Sequence, residues 1–503
     1  MTATDTALEQ TSPLSATTGV GPRDLVDAVP HELFIGGQWV PAGDGATLGV
    51  ENPATGQRLC EVSDASAADG LRALDAAVAA QEAWAATAPR ERADILMRAY
   101  HTMMADTEPL ARLLTLEMGK SVAESRGEVR YAADYLRWFG EEVPRIAGAW
   151  RINGPGDGRI ITMQQPVGPC LLVTPWNAPL ALATRKIGPA LAAGCTAVVK
   201  PAAQTPLNTL YLADVFARAG LPAGVLNVVT TTNAAGLTGP LLADDRLRKV
   251  SFTGSTPVGK LLLEQAAGNV LRTSMELGGN APFVVCQDAD LDVAVSAALT
   301  AKMRNIGEAC IAANRFFVHA TVADEFVARL TAEMAALRVG DGSEPGVNVG
   351  PLIDGRQRAR LGALVDEAVA GGANLHIGGY IDAQPGYFYP PTILTDVPDD
   401  ARIRQEEIFG PVAVVNTFTD EQAVMQAAND TPYGLVGYVF TRDLSRGVRL
   451  VEQLQTGMVG LNRGFVSDAT APFGGVKQSG TGREGGFEGI REYLETKYVA
   501  LGL

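Results

Sequence analysis

Between residues 166 and 255, short continuous apolar runs alternate with longer segments of helical periodicity. "PCLLVTP" leads to "PLALATRKIGPALAAG", "CTAVVKP" to "TPLNTLYLADVFARAG", and "VLNVVT" to "AGLTGPLLADD", before the series reaches "KVSFTG". Strands that are apolar along their whole length, each followed by a helix, predict a parallel sheet covered on both faces. Thr205-Pro206 predicts a cap followed by proline at the first helical position. The alternation returns after residue 280. Helices are expected near 288–305, 321–337 and 355–370, with strands such as "RFFVHA" and "VAVVNTF", which predicts a second α/β domain. Ahead of both, residues 65–145 carry Ala- and Leu-rich helical periodicity with few breakers. "HELFIGGQWV" alternates like a strand, and "ENPATGQRLCEV" reads as the other arm of a hairpin. "GAWRINGPGDGRIITMQQPVG" at 148–168 is hairpin-like. Together with the C-terminal "EYLETKYVALGL" it predicts a strand-pairing arm used in oligomerisation.

Composition narrows the function. A chain of 503 residues, 47% apolar and 19% charged, suits two or three globular domains with large cores. A net charge of −15 gives a nucleic-acid partner no electrostatic basis. No uncharged apolar run reaches the length of about 18 residues that a membrane span needs. The first 30 residues lack a basic start and an apolar core, so they are not read as a secretory signal. A flexible or loosely docked tail over 1–30 and a cytoplasmic location are expected. Four scattered histidines and five cysteines without metal-like spacing give no reason to expect a metal site. Cys170, Cys195 and Cys286 border apolar runs and read as small buried residues, with Cys60 similar but less clear.

Cys310 differs. It lies in "KMRNIGEACIAANR", a polar, glycine-containing stretch, six residues after Arg304. "VSFTGSTPVGKLLLEQ" nearly spells a phosphate-binding loop, but Leu261 stands where a Mg²⁺-ligating hydroxyl is required, which argues against an NTPase. A helix starting at Thr256-Pro257 could still hold a diphosphate on its amides, and a glycine turn without a ligand is the plain alternative. In "TSMELGGNAP", Glu276 sits between apolar residues and a Gly-Gly-Asn turn. It is either a buried structural acceptor or a general base with a raised pKa. A thiol with a carboxylate base is a workable pair for covalent catalysis. In "VTPWNAPL", two prolines fix Asn177, whose amide is either a donor to an oxyanion or an ordinary turn residue.

Taken together, "TPWNAPL", "GCTAVVKPA", "FTGSTPVG", "MELGGNAP", "GEACIAANR", "EEIFGPVAVV" and "PFGGVKQSGTGREGG" resemble the aldehyde dehydrogenase superfamily. The motifs stand in family order from about residue 32 onward, and the closest look is to the succinate-semialdehyde dehydrogenases. The resemblance implies an α/β aldehyde dehydrogenase-like fold. Its parts would be a Rossmann-like cofactor domain over 31–147 and 169–278, a catalytic domain over 279–480, and a β-strand oligomerisation arm over 148–168 and 487–503. The expected assembly is a homodimer or homotetramer. By the same resemblance Cys310 is the nucleophile, Glu276 the general base and Asn177 the oxyanion donor. Thr174, Pro175, Trp176, Lys200, Ala203, Gly254, Ser255, Gly259, Leu277, Glu407 and Phe409 fall on cofactor positions. Arg185, Arg304, Ser467 and Phe473 fall on substrate positions.

The implied reaction is NAD(P)-dependent oxidation of an aldehyde through a thiohemiacetal and a thioester on Cys310, with water activated by Glu276. Two rivals are a CoA-acylating enzyme, whose relatives usually lack the glutamate, and a non-catalytic relative. Ala203 replaces the glutamate that binds adenosine ribose hydroxyls in many NAD-preferring members. NADP is therefore expected to be used, with NAD still accepted. Ala312 replaces the second cysteine of some succinate-semialdehyde enzymes, so no disulfide gate of that type is expected. A random arginine usually pairs with a protein carboxylate. Arg185 and Arg304, however, fall on tunnel positions that are arginine in succinate-semialdehyde dehydrogenases, and two forked donors suit a substrate carboxylate. The substrate this implies is a short aldehyde with a terminal anion, succinate semialdehyde first. Glutarate semialdehyde, a sulfonate-bearing aldehyde, or a neutral aliphatic or aromatic aldehyde are the alternatives.

Overall fold

The computed structural model describes residues 21–381 and 384–502. Two large sheets organise it. In the eight-stranded sheet the central strands are parallel and run in the order Arg272–Glu276, Lys249–Thr253, Cys170–Val173, Ala197–Lys200, Leu226–Val228. The chain starts in the middle strand, proceeds to one side, and then returns to the other. That places a topological switch point between Cys170–Val173 and Lys249–Thr253, where the loops leaving their carboxyl ends diverge and leave a crevice. Alternate residues feed opposite cores. Cys170 and Leu172 pack into one hydrophobic cluster, Leu171 and Val173 into another, which is why these strands are apolar throughout.

The seven-stranded sheet repeats this logic. Its strands include Ala281–Val285, Ala313–His319, Val412–Phe418 and Val436–Phe440, all parallel to their neighbours. Phe283 and Val285 join one cluster, Val284 and Cys286 a second. The helices expected around it form at Leu291–Met303, Ala320–Ala335 and Gly355–Ala370. A three-stranded antiparallel sheet joins Leu494–Gly502 to Gly158–Pro166 and Ala149–Ile152, in register from Leu494↔Pro166 to Gly502↔Gly158. It carries exposed Trp150, Ile152 and Tyr498. No helix among the described residues is long and apolar enough to cross a membrane.

Several local expectations need correction. "HELFIGGQWV" does not pair with "ENPATGQRLCEV"; each is a hairpin arm with a nearer partner. Leu33–Ile35 folds back on Gln38–Val40 through Gly36 and Gly37, both at positive φ, the geometry that a two-residue hairpin turn requires. Gln57–Ser63 pairs instead with Thr47–Asn52. Of the tail expected over 1–30, residues 1–20 lie outside the described residues. Its end is folded: Pro22–Asp27 is a helix, and Leu25, Val26 and Val29 are buried in the main core. Thr205 is not the cap it was expected to be. Pro206 occupies that place and the helix runs Leu207–Arg218.

Candidate active site

Cys310 follows the helix Leu291–Met303 and precedes the strand Ala313–His319. The connection is tight. Asn305, Ile306 and Gly307 all adopt left-handed backbone, with φ of 55°, 62° and 74°. That conformation is unfavourable for β-branched Ile306. At Gly307 a Cβ would stand 2.2 Å from the Gly410 carbonyl, so only glycine fits. The result aims Cys310, half-buried, into a narrow cavity of about 100 Å³. Burial pushes its thiol up to about 12. Glu407 and Glu276 push the same way, while Arg185 opposes them.

Asn177, Arg185, Arg304, Ser467 and Phe473 line the same cavity, so six of the expected site residues, Cys310 included, meet there. Asn177 is buried at the turn after Cys170–Val173, and its amide donates to the Glu308 carbonyl at 3.0 Å. The two arginines differ. Arg185 is buried and donates to the Tyr131 hydroxyl at 2.7 Å. It pairs with Glu484 at 3.6 Å and rests 4.1 Å from the Phe473 ring centre. Arg304 stacks 3.9 Å from the centre of the Phe465 ring and has no hydrogen bond or ion pair among the described residues. The Glu124 carboxylate on the same cavity wall feels its charge without bonding it, so the guanidinium keeps its donors for an anionic ligand.

Glu276 ends the strand Arg272–Glu276 and is 2% exposed, and neither carboxylate oxygen has a hydrogen-bond partner among the described residues. Burial pushes its pKa well up. Glu484 adds to this, and Lys186, Arg185 and Arg483 pull less strongly in the opposite direction. The structure does not bring Glu276 onto the cavity wall. It stands behind Gly474, where a Cβ would come within 3.0 Å of its carboxylate.

A second, larger cleft of about 1100 Å³ opens at the switch point. Thr174, Pro175, Trp176, Lys200, Ala203, Gly254 and Ser255 line it, seven of the expected cofactor residues. The helix Thr256–Ala266 starts there with Pro257 in its first turn and no side-chain cap, which leaves its amide end facing the cleft mouth. Lys200 is buried with no hydrogen bond or ion pair for its ammonium among the described residues, and burial lowers its pKa to about 8. A lone buried ammonium and an uncapped helix start fit a phosphorylated, hydroxyl-bearing cofactor.

Gly259 and Leu277 do not line the cleft. They touch each other, and a Cβ at Gly259 would lie 2.4 Å from a Leu277 methyl. Glu407 and Phe409 stand beside the cleft. Phe409 meets Trp176 edge-on at 5.3 Å, and Glu407 accepts the Gly279 N–H at 3.1 Å. Gln357 and Arg360 fix this segment by donating to the Phe409, Ile408 and Glu407 carbonyls. Neither stood out in the sequence, because polar residues on a helix look like a solvated face. Tyr131, on the helix Val122–Glu142, is hidden for the same reason, whereas Lys120 and Phe465 lie in loops with no periodicity to mark them as parts of the cavity wall.

A family model described as Aldehyde dehydrogenase family matches residues 39–499. A succinate-semialdehyde dehydrogenase of Paenarthrobacter nicotinovorans is 57% identical over 443 residues, covering 88% of this chain and 98% of its own. A glutarate-semialdehyde dehydrogenase of Pseudomonas aeruginosa is 48% identical over 94% of this chain and 98% of its own length. The crystal structure of an NADP-dependent enzyme of Escherichia coli is 47% identical. It superposes with a TM-score of 0.93 over 94% of this chain and 98% of that one.

Proposed function

The chain belongs to the aldehyde dehydrogenase family, and from that premise we propose that it oxidises succinate semialdehyde to succinate with NADP⁺, accepting NAD⁺ as well. One observation carries the substrate: Arg304, braced on Phe465 and bonded to no carboxylate among the described residues, shares its cavity with Cys310. A short aldehyde can place its terminal carboxylate on this guanidinium and its carbonyl at the thiol. Ser467 and Phe473 complete the wall, and Arg185 sits deeper, where its charge favours the thiolate. Glutarate semialdehyde, the substrate named for the Pseudomonas aeruginosa relative, has the same two ends.

In this reading Cys310 attacks the carbonyl carbon, and the thiohemiacetal oxyanion accepts hydrogen bonds from the Asn177 amide and the Cys310 N–H. The bound nicotinamide supplies the oxidant. Thr174, Pro175, Trp176, Lys200, Ala203, Gly254 and Ser255 would hold the cofactor, with Glu407 and Phe409 beside them. Gly259 and Leu277 would support the helix whose uncapped start suits a diphosphate. Burial favours the neutral acid of Glu276 at rest. Once that proton is lost to solvent, its carboxylate takes a proton from water, the water oxygen bonds to the thioester carbon, the C–S bond breaks, and the acid leaves as the Cys310 thiol is restored. A carboxylate at 276 favours water over CoA as the acceptor. Residues 31–147 with 169–278 act as the cofactor domain, 279–480 as the catalytic domain, and 148–168 with 487–503 as the arm of a cytoplasmic homodimer or homotetramer.

The test is the specificity constant for succinate semialdehyde against butanal, with each cofactor, with and without CoA. Preference for the anionic aldehyde, without need of CoA, is expected. Preference for butanal overturns the substrate assignment.

A further inference from the structure

We infer that Lys120 is a positioning residue for the oxyanion pocket, holding Asn177 in place against the Cys310 loop. The inference rests on the proposed role of Asn177 as oxyanion donor. A side-chain amide stabilises charge in a transition state only if it is held where the charge develops. Asn177 has two amide hydrogens. One is used on the Glu308 carbonyl, which leaves the other for a ligand. What keeps the residue itself in place is on the other side of its peptide.

Lys120 is 2% exposed and paired with buried Glu128. A buried ion pair is seldom stabilising by itself, so its placement asks for a reason. Its two ends bracket Asn177. The Lys120 ammonium donates to the Asn177 carbonyl at 2.9 Å. The Glu128 carboxylate accepts the N–H groups of Leu180 and Ala181, in the first turn of the helix Pro179–Ala193, at 3.1 and 3.2 Å. The chain before and after Ala178 is thus stapled to one ion pair.

The Cys310 loop is fastened to the same point. The Asn305 amide donates both to the Asn177 carbonyl at 2.9 Å and to the Glu308 carbonyl at 2.8 Å. The Asn305 N–H donates at 2.7 Å to Glu124, one helical turn before Glu128 on the same face. This bonding offsets the left-handed strain of Asn305 and Ile306. Lys120 in turn has a fixed base. The Val122 N–H donates to the Gly342 carbonyl at 3.0 Å, and a Cβ on Gly350 would lie 1.9 Å from the Gly119 carbonyl. Lys120 therefore joins a rigid support to the one carbonyl that both halves of the pocket share.

The test uses Lys120→Met combined with Glu128→Gln, which removes both charges together and keeps an acceptor for the Leu180 and Ala181 amides. Thermal melting checks the fold, and the pre-steady-state burst of reduced cofactor reports acylation. We expect the burst rate to fall about 10- to 100-fold while the aldehyde concentration that half-saturates the burst and the cofactor affinity change less than about twofold. In an Asn177→Ala background, the same pair should lower the rate no further, because the group it positions is gone. An equal fall in both backgrounds overturns the inference. So does a loss confined to KM for anionic aldehydes, since Lys120 would then be a substrate contact. Asn177→Ala retaining the wild-type burst overturns the oxyanion reading instead.

Discussion

Arg185, on the wall of the proposed substrate cavity, forms a buried ion pair at 3.6 Å with Glu484. Glu484 also accepts from Lys186 at 2.6 Å and raises the pKa of Glu276, so Arg185 belongs electrostatically to the buried carboxylates Glu276 and Glu484. Arg304 has no such partner. The two arginines that look equivalent as a substrate clamp therefore differ in their contacts, and their substitution should separate their roles.

Arg304→Leu should lower kcat/KM for succinate semialdehyde by about 100-fold, the scale of a lost charge-assisted contact, and leave butanal nearly unchanged. Arg185→Leu should slow both aldehydes alike. It removes the cation that favours the thiolate and leaves buried Glu484 with Lys186 as its remaining cation. Steady-state kinetics on both aldehydes check this. An equal selective loss in both variants would restore a symmetric clamp.

Cys310→Ala should abolish turnover yet keep the melting temperature and cofactor binding, because the lost group is a reactant. Glu276→Gln should give one burst of reduced cofactor and an acyl-enzyme detectable by intact mass. In the free enzyme, burial holds the Cys310 thiol up at about 12. Its alkylation by iodoacetamide should therefore rise about tenfold per pH unit through the alkaline range without a plateau below pH 10 or so. A plateau near neutrality would show a thiolate already formed.

Much of this was legible in the chain because the physics is local. "CLLV" and "FVV" are apolar at every position because both faces of their strands are covered, and Cys310 stood out because no apolar run surrounds it. The pairing of Arg185 with Glu484, the bracing of Arg304 by Phe465 and the hold of Lys120 on Asn177 were not legible. Each joins residues distant in the chain, and nothing in the spacing of a polar helix face tells a buried partner from a solvated one. The hairpins were misassigned because "IGGQ", itself a turn, was read as part of one strand.

Gly259 and Leu277 show the same limit. The resemblance placed both at the cofactor, but they contact each other. Gly259→Ala would ordinarily stabilise a helix, yet its Cβ would meet Leu277 at 2.4 Å. Overpacking should prevail and lower stability by about 1–3 kcal/mol, measured by denaturant melts. Adding Leu277→Ala should recover part of the loss, and a stabilised Gly259→Ala would show that the contact yields freely.

Cofactor choice is expected to turn on Lys200 and Ala203. Lys200 is buried and its ammonium has no partner among the described residues, and its folded pKa, about 8, lies below its ordinary value of 10.5. Between those values the unfolded chain binds more protons than the folded one, so the free protein should gain stability as pH rises through that window. Binding should respond in the opposite sense. A 2′-phosphate needs the ammonium, so NADP⁺ affinity should fall as pH rises above about 8, while NAD⁺ affinity falls less. Lys200→Met should flatten both dependences. Ala203→Glu should move kcat/KM toward NAD⁺, since a carboxylate there accepts ribose hydroxyls and repels the phosphate. Titrating each cofactor against the free enzyme from about pH 7 to 10 reads this directly. NADP⁺ affinity independent of pH in the wild type would remove Lys200 from phosphate recognition, and an unchanged ratio in Ala203→Glu would place the discriminating contact elsewhere in the cleft.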